Sequence, residues 1–294
     1  MNSRTIVMEY YIVDVFSDVA FQGNPVAVFF VDQELSNDEM QSIASWTNLS
    51  ETTFIEHYDK EQSSYKVRIF TPNQELKFAG HPTIGSAAAV KSYFNCNSNT
   101  LTQQCGIGDI ELNTCSSEIS FLSPKVKYQN VDSCFLPEIT KTLGIDGIMV
   151  ASAIIDVGPI WLAVIVESGS AVSSIIPNIS QISDLSSKME ITGITIAGAM
   201  PNIDGYKVRT FAPIVGVPED PVCGSGNIAI AKVLYTESIN KDPYVAYQGQ
   251  EIGRNGKVFI SYDGDDVVLG GRTCITAKGR VGDASNHDFI CKDL

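Results

Sequence analysis

The chain has 294 residues, 44% hydrophobic and 18% charged, which suits one large domain or two ordinary ones and excludes a disordered or fibrous protein. A formal net charge of −14 disfavours nucleic acid and anionic membrane surfaces as partners, so an anionic substrate needs a local positive feature. Seven cysteines, an odd number without a C-x-x-C pair, argue against a disulfide framework or zinc ribbon and point to the reducing cytoplasm.

Met1 to Phe16 carries Glu9 and Asp14 inside its apolar run, so it does not read as a signal peptide. Val26 to Val31 is strand-like. A surface helix is predicted over Asn37 to Trp46, where Ser36 and Glu39 form a capping box and Asn48 marks the stop. Val67 to Phe70 is β-branched and aromatic, hence strand. Pro82 to Phe94 reads as a helix whose small, apolar residues on most sides predict burial. Gly147 to Val166 is apolar and long enough to span a bilayer, but Asp156 and Gly158-Pro159 break it. Two buried strands split by a turn fit better. Asn227 to Ser238 repeats the small-residue helix. Asn255-Gly256 and Asp263-Gly264 are read as hairpin turns. Asp263 to Asp266 lacks the alternating ligands and closing Glu of a calcium loop.

Several of these pieces are copies of one another. Val67-Arg68-Ile69-Phe70-Thr71-Pro72 returns 141 residues later as Val208-Arg209-Thr210-Phe211-Ala212-Pro213. Ile12-Val13-Asp14-Val15 returns as Ile154-Ile155-Asp156-Val157, and Gly80 to Val90 as Gly224 to Leu234. A period near half the chain length indicates a duplicated domain. The fold expected is α/β (α+β): two pseudo-symmetric halves, each a curved, mostly antiparallel sheet or barrel around a central helix. The halves are drawn at 1–124 and 125–281, with 282–294 a candidate segment completing the first.

The helix starts at Gly80 and Gly224 are the first site candidates. A helix N-terminus presents unpaired N–H groups and partial positive charge, so two of them in one cleft can hold a carboxylate without Arg or Lys. Both glycines would equally serve a tight turn. His81 at the first start can exchange protons with a substrate, or simply cap the helix. Asp220 and Ser225 bracket the second start, where either alone is an ordinary turn or helix residue. Glu51, between the surface helix and the next strand, becomes an acid/base if removed from water and an exposed loop residue otherwise. Cys223 can be an activated thiol or a small buried apolar residue.

Five stretches in order resemble the phenazine-biosynthesis PhzF-like family. They are Val13-Asp14-Val15-Phe16 with Gly23-Asn24-Pro25-Val26-Ala27-Val28; Leu49-Ser50-Glu51-Thr52-Thr53-Phe54; Arg68-Ile69-Phe70-Thr71-Pro72; Phe78-Ala79-Gly80-His81-Pro82-Thr83; and Glu219-Asp220-Pro221-Val222-Cys223-Gly224-Ser225-Gly226. The resemblance implies a diaminopimelate-epimerase-like fold, a cleft active site and usually a homodimer. It implies that Glu51 shuttles the proton and that His81, Asp220 and Ser225 bind or polarise the substrate, with Gly80, Gly224 and Cys223 lining its site. It implies an isomerase of a small carboxylate such as a dihydro-hydroxyanthranilate, needing neither cofactor nor metal. Related racemases place a Cys at both turns. Here the first turn has Ala79, which disfavours a two-thiol mechanism. A one-thiol epimerase using Cys223 and a non-catalytic binding protein are the alternatives.

Overall fold

Two copies of one strand order build the chain, whose computed structural model describes residues 7–145 and 148–282. His287, Cys291 and the candidate completing segment from 283 onward lie outside the described residues. The first half runs β1 (Met8–Val15), β2 (Asn24–Phe30), α1 (Asn37–Thr47), β3 (Thr52–Asp59), β4 (Ser64–Phe70) and β5 (Glu75–Leu76). It continues through α2 (Gly80–Tyr93), β6 (Thr100–Cys105), β7 (Gly108–Asn113) and β8 (Ile119–Leu122). After β9 (Lys127–Asn130) and α3 (Leu136–Leu143), the second half repeats the plan with β10 (Met149–Asp156) and β11 (Ile160–Val166). Two helices follow, α4 (Gly169–Ser173) and α5 (Ile179–Lys188), then β12 (Gly193–Ala199), β13 (Gly205–Ala212) and β14 (Val217–Asp220). The chain ends through α6 (Gly224–Thr236), β15 (Tyr244–Gln248), β16 (Gly256–Asp263), β17 (Asp266–Gly271) and β18 (Thr273–Val281).

The pairings match copy for copy. In the first half β1–β2 is antiparallel, β2–β3 parallel, β3–β4 antiparallel, β4–β6 parallel and β6–β7–β8 antiparallel. In the second, β10–β11, β11–β12, β12–β13, β13–β15 and β15–β16–β17 repeat the same sequence of senses. Antiparallel β8–β17 pairing joins the two into one sheet. The strand that follows each half crosses over: β9 pairs with β10, and β18 pairs with β1 along Met8 to Val15. The proposed division at residues 124 and 125 falls between β8 and β9. The segment that closes the first sheet is β18, inside the span assigned to the second half.

Each sheet wraps a central helix. α2 packs on β1, β2, β3, β4, β6, β8 and β18, and α6 packs on β10, β11, β12, β16 and β17. Small residues make this possible. A Cβ on Gly85 would lie 2.4 Å from Val26 Cγ1 and 3.0 Å from Val15 Cγ2, so only glycine lets α2 sit this near β1 and β2. One continuous core, including Val13, Val15, Ile84, Val90, Ile155, Ile228 and Leu234, fills both sheets. Outer layers differ. The first half is covered by α1, through Met40 and Ala44 on Phe29 and Phe54. The second is covered by α3, α4 and α5, through Ile139, Leu143, Val172, Ile182 and Leu185.

Local signals held where chemistry was local. Ser36 and Glu39 make the capping box of α1, and Asn48 stops it in the left-handed region at φ 54. The stretch ending at Val166 is the antiparallel pair β10–β11, and no helix among the described residues is long and apolar enough to cross a membrane. Two corrections follow from pairing. Asn255-Gly256 is not a two-residue turn. Gln248 pairs with Gly256 across a longer connection that holds a 3-10 turn over Gln250–Ile252. Asp263 pairs with Asp266, so the β16–β17 turn is Gly264-Asp265, one residue on from the dipeptide read from sequence.

Candidate active site

Glu51 ends the loop between α1 and β3, whose base is tied by the Thr47 and Thr52 hydroxyls, 2.7 Å apart. His81 is the second residue of α2, Asp220 the last of β14 and Ser225 the second of α6. The helix starts abut. A Cβ on Gly224 would lie 3.4 Å from the His81 amide nitrogen, and one on Gly80 would lie 3.8 Å from Gly224 Cα. Two sets of unpaired first-turn N–H groups therefore meet in one place.

Glu51 Oε2 and His81 Nε2 stand 3.4 Å apart, both sealed from solvent, without making a hydrogen bond. Glu51 keeps 17% of its side-chain surface open, so one carboxylate oxygen is buried while the residue borders solvent. Burial pushes the Glu51 carboxyl up to about 7, against a Ser50 hydroxyl that favours the ionised form. Burial lowers His81 to about 4, opposed by the Asp220 charge and by a hydrogen bond to the Pro25 carbonyl. Burial raises Asp220 to about 6; His81 opposes this and the Glu51 charge adds to it. Near neutral pH the imidazole is uncharged and the two carboxyls straddle their ionisation, the condition for taking and returning a proton.

The second turn is braced from several sides. Asp220 Oδ1 accepts from the Val222 N–H at 3.0 Å and from Asn24 Nδ2 at 3.1 Å. Gln248 donates to the Asp220 carbonyl and accepts from the Cys223 N–H and Asn227 Nδ2. Trp161 Nε1 donates to Ser225 Oγ at 3.1 Å. Cys223 caps α6, its Sγ accepting from the Gly226 N–H at 3.3 Å. Burial pushes this thiol well above its usual range, and the Asp220 charge adds to that. A thiolate is therefore disfavoured, and the Cys223 sulfur serves as the cap of α6. The six described cysteines are free thiols.

All seven residues singled out in the sequence lie at or beside the joined helix starts or on the loop facing them. Asn24, Pro25, Trp161 and Gln248 also belong to this cluster and carried no signal of their own. Their partners are distant in sequence, and only the family-like Gly23-Asn24-Pro25 stretch pointed to any of them. Among the described residues no group of three or more His, Cys, Asp or Glu is arranged to hold a metal ion. Two cavities of about 330 and 430 Å³ open elsewhere, one beside Tyr58, Tyr93 and Phe94, the other beside Tyr247, Phe259 and Arg272. Neither is lined by Glu51, His81 or Asp220.

The duplicated, sheet-wrapped helix pair is a fold shared with solved structures. A crystal structure of a phenazine biosynthesis protein of the PhzF family from Enterococcus faecalis superposes with a TM-score of 0.80 at 27% identity, covering 94% of this chain and 99% of that one. A hydroxyproline epimerase from Agrobacterium vitis shares the fold at a TM-score of 0.62 and 12% identity, covering 94% of this chain and 92% of that one. The chain belongs to the phenazine biosynthesis-like protein family (PhzC-PhzF), whose family model matches residues 13–279. It is 30% identical to trans-2,3-dihydro-3-hydroxyanthranilate isomerase of Pseudomonas aeruginosa, over 92% of this chain and 98% of that protein. It is 36% identical to antisense-enhancing sequence 1 of Schizosaccharomyces pombe, over 90% of this chain and 96% of that protein.

Proposed function

We propose that the protein is an isomerase that moves a proton within a small carboxylate substrate, with Glu51 as both base and acid. The observation that carries this is the sealed Glu51 Oε2 beside His81 Nε2, its carboxyl held at about 7 by burial. The substrate carboxylate rests on the N–H groups at Gly80 and Gly224, which supply the positive potential that a chain of net charge −14 lacks elsewhere. Ionised Glu51 takes a proton from carbon and returns it to another carbon of the same molecule. No electrons leave the substrate. Neutral His81 and the Asp220 carboxyl hydrogen-bond the polar groups of the substrate, and Ser225, oriented by Trp161, does the same from the other half. Because the reacting atoms of Glu51 and His81 are closed off, a substrate reaches them only when the halves or the 48–51 loop move apart.

Trans-2,3-dihydro-3-hydroxyanthranilate, the substrate in the name of the Pseudomonas relatives, is the first compound to try. Others should be drawn from small aromatic and amino-acid carboxylates. We further expect a cytoplasmic homodimer with no nucleic-acid partner, which light scattering and RNA-binding assays can check. In deuterated water the wild type should place solvent deuterium in product or recovered substrate. Glu51→Gln should lose about 10²–10⁴-fold of that exchange while keeping its fold. Normal exchange in Glu51→Gln would sink the assignment.

A further inference from the structure

The stretch Gly23-Asn24-Pro25 touches Asp220 and the residue before Glu51, though no role was given to it. Residues 16–22 already lie against the second half. Lys257 N donates to Phe16 O, Asn255 N to Gln22 O and Arg254 Nη1 to Phe21 O, at 2.8, 2.8 and 3.1 Å. At the inner end of this seam, Asn24 pairs opposite Val15 across β1–β2. A Cβ on Gly23 would stand 2.3 Å from the Val15 carbonyl oxygen, so only glycine brings the chain in at this point.

Asn24 is 1% exposed and its amide is fully employed. Nδ2 donates to Asp220 Oδ1 at 3.1 Å and to the Val222 carbonyl at 3.0 Å, both on the other half. Its Oδ1 accepts from Ser50 Oγ at 3.5 Å, on the residue before Glu51. A side chain with two donors and an acceptor in one plane is needed here, and asparagine supplies it.

We propose that Asn24 is a positioning residue that holds Asp220 and the Glu51 loop in one frame across the two halves. The proposal rests on the acid/base reading given above. Asn24 acts through Asp220 and is assigned no contact with substrate. The groups that face Asp220 are His81 from α2, Glu51 from the loop before β3 and Cys223 from its own turn. Of these, only His81 and Glu51 change charge in the range that matters.

The test is carboxyl-carbon NMR titration of the full chain labelled at aspartate, with the Asp220 signal assigned by its loss in Asp220→Asn. A donated hydrogen bond favours the ionised carboxylate, so Asn24→Ala should raise the Asp220 midpoint by about one pH unit. Asn24→Asp keeps the size and the acceptor for Ser50, removes both donors and adds a like charge, so it should raise the midpoint further. An unmoved midpoint, with only a lower melting temperature, would overturn the proposal by reducing Asn24 to a structural part. Should neither variant fold, the wild-type Asn24 side-chain amide still reports. Its nitrogen signal should follow the Asp220 titration, and failure to follow it also overturns the proposal. The Glu51→Gln exchange assay decides the acid/base reading separately. A flat titration alongside a dead Glu51→Gln variant defeats only the positioning role.

Discussion

At the start of α2 the capping position is Ala79, which offers no side chain to the first turn, and the polar residue that follows is the sealed His81. At the start of α6 the same position is Cys223, whose sulfur caps Gly226, and the residue matching His81 is Ser225, held by Trp161. The two strands before each helix, β4–β5 and β13–β14, share an Arg–Glu pair, again with a contrast. Arg68 and Glu75 are 19% and 42% exposed, whereas Arg209 and Glu219 are 3% and 9% exposed. Arg209 also donates to the Ile175 carbonyl at 2.6 Å. One backbone plan has been specialised twice. The first copy contributes Glu51 and the sealed His81; the second contributes a braced frame around Asp220 and Ser225.

The sharpest way to break this contrast is to remove both arginines in turn. Arg209→Ala leaves Glu219 buried and unpaired and should cost about 3–5 kcal/mol in urea unfolding. Arg68→Ala, at a half-open pair, should cost about 0–1 kcal/mol. Equal losses would mean that the second frame is no more essential than the first.

Next in size is the pH dependence of stability. Glu51 ionises at about 7 in the fold, against an ordinary value of 4.5, so the folded state carries the cost of a buried charge at high pH. Glu51→Gln should therefore be more stable than wild type above pH 7, by up to about 3 kcal/mol. The gain should shrink as pH falls and vanish below 4.5, where both states hold the proton. His81 works the other way, since its value is lowered from 6.5 to about 4. Its neutral form costs nothing above 6.5, and wild-type stability should fall as pH drops from there toward 4. Calorimetry across pH 4–8 on wild type, Glu51→Gln and His81→Asn separates the two.

The smallest effect expected is at Cys223. Losing the sulfur cap in Cys223→Ala should cost about 1 kcal/mol and change proton exchange less than tenfold. Complete loss of exchange in a folded Cys223→Ala variant would restore the one-thiol epimerase reading and shift the chemistry to the second turn.

Much of this was legible in the chain because duplication writes itself in sequence. The 141-residue return of Val67-Arg68 at Val208-Arg209 located β4 and β13, and with them both central helices. Ser36 and Glu39 announced α1 because a cap is a local device. The exchange of β9 and β18 was hidden, since no local pattern records which edge a strand will join. The bracing of the site was hidden for the same reason: Asn24 meets Asp220 196 residues away, and Trp161 meets Ser225 64 residues away. Asn255-Gly256 misled because the dipeptide suits a turn, while the pairing of Gln248 with Gly256 put the turn before it.

The crossover of the last strand has a consequence for how the protein is made. β1 leaves the ribosome well before β18, yet its outer edge finds its partner only when β18 emerges. Until then the nascent first half exposes an open strand edge running from Met8 to Val15, a template for unwanted pairing. β9 emerges just before β10, so the second half is closed almost as soon as its first strand is out. A chain cut before residue 273 would keep every strand of the second half and leave the first without β18.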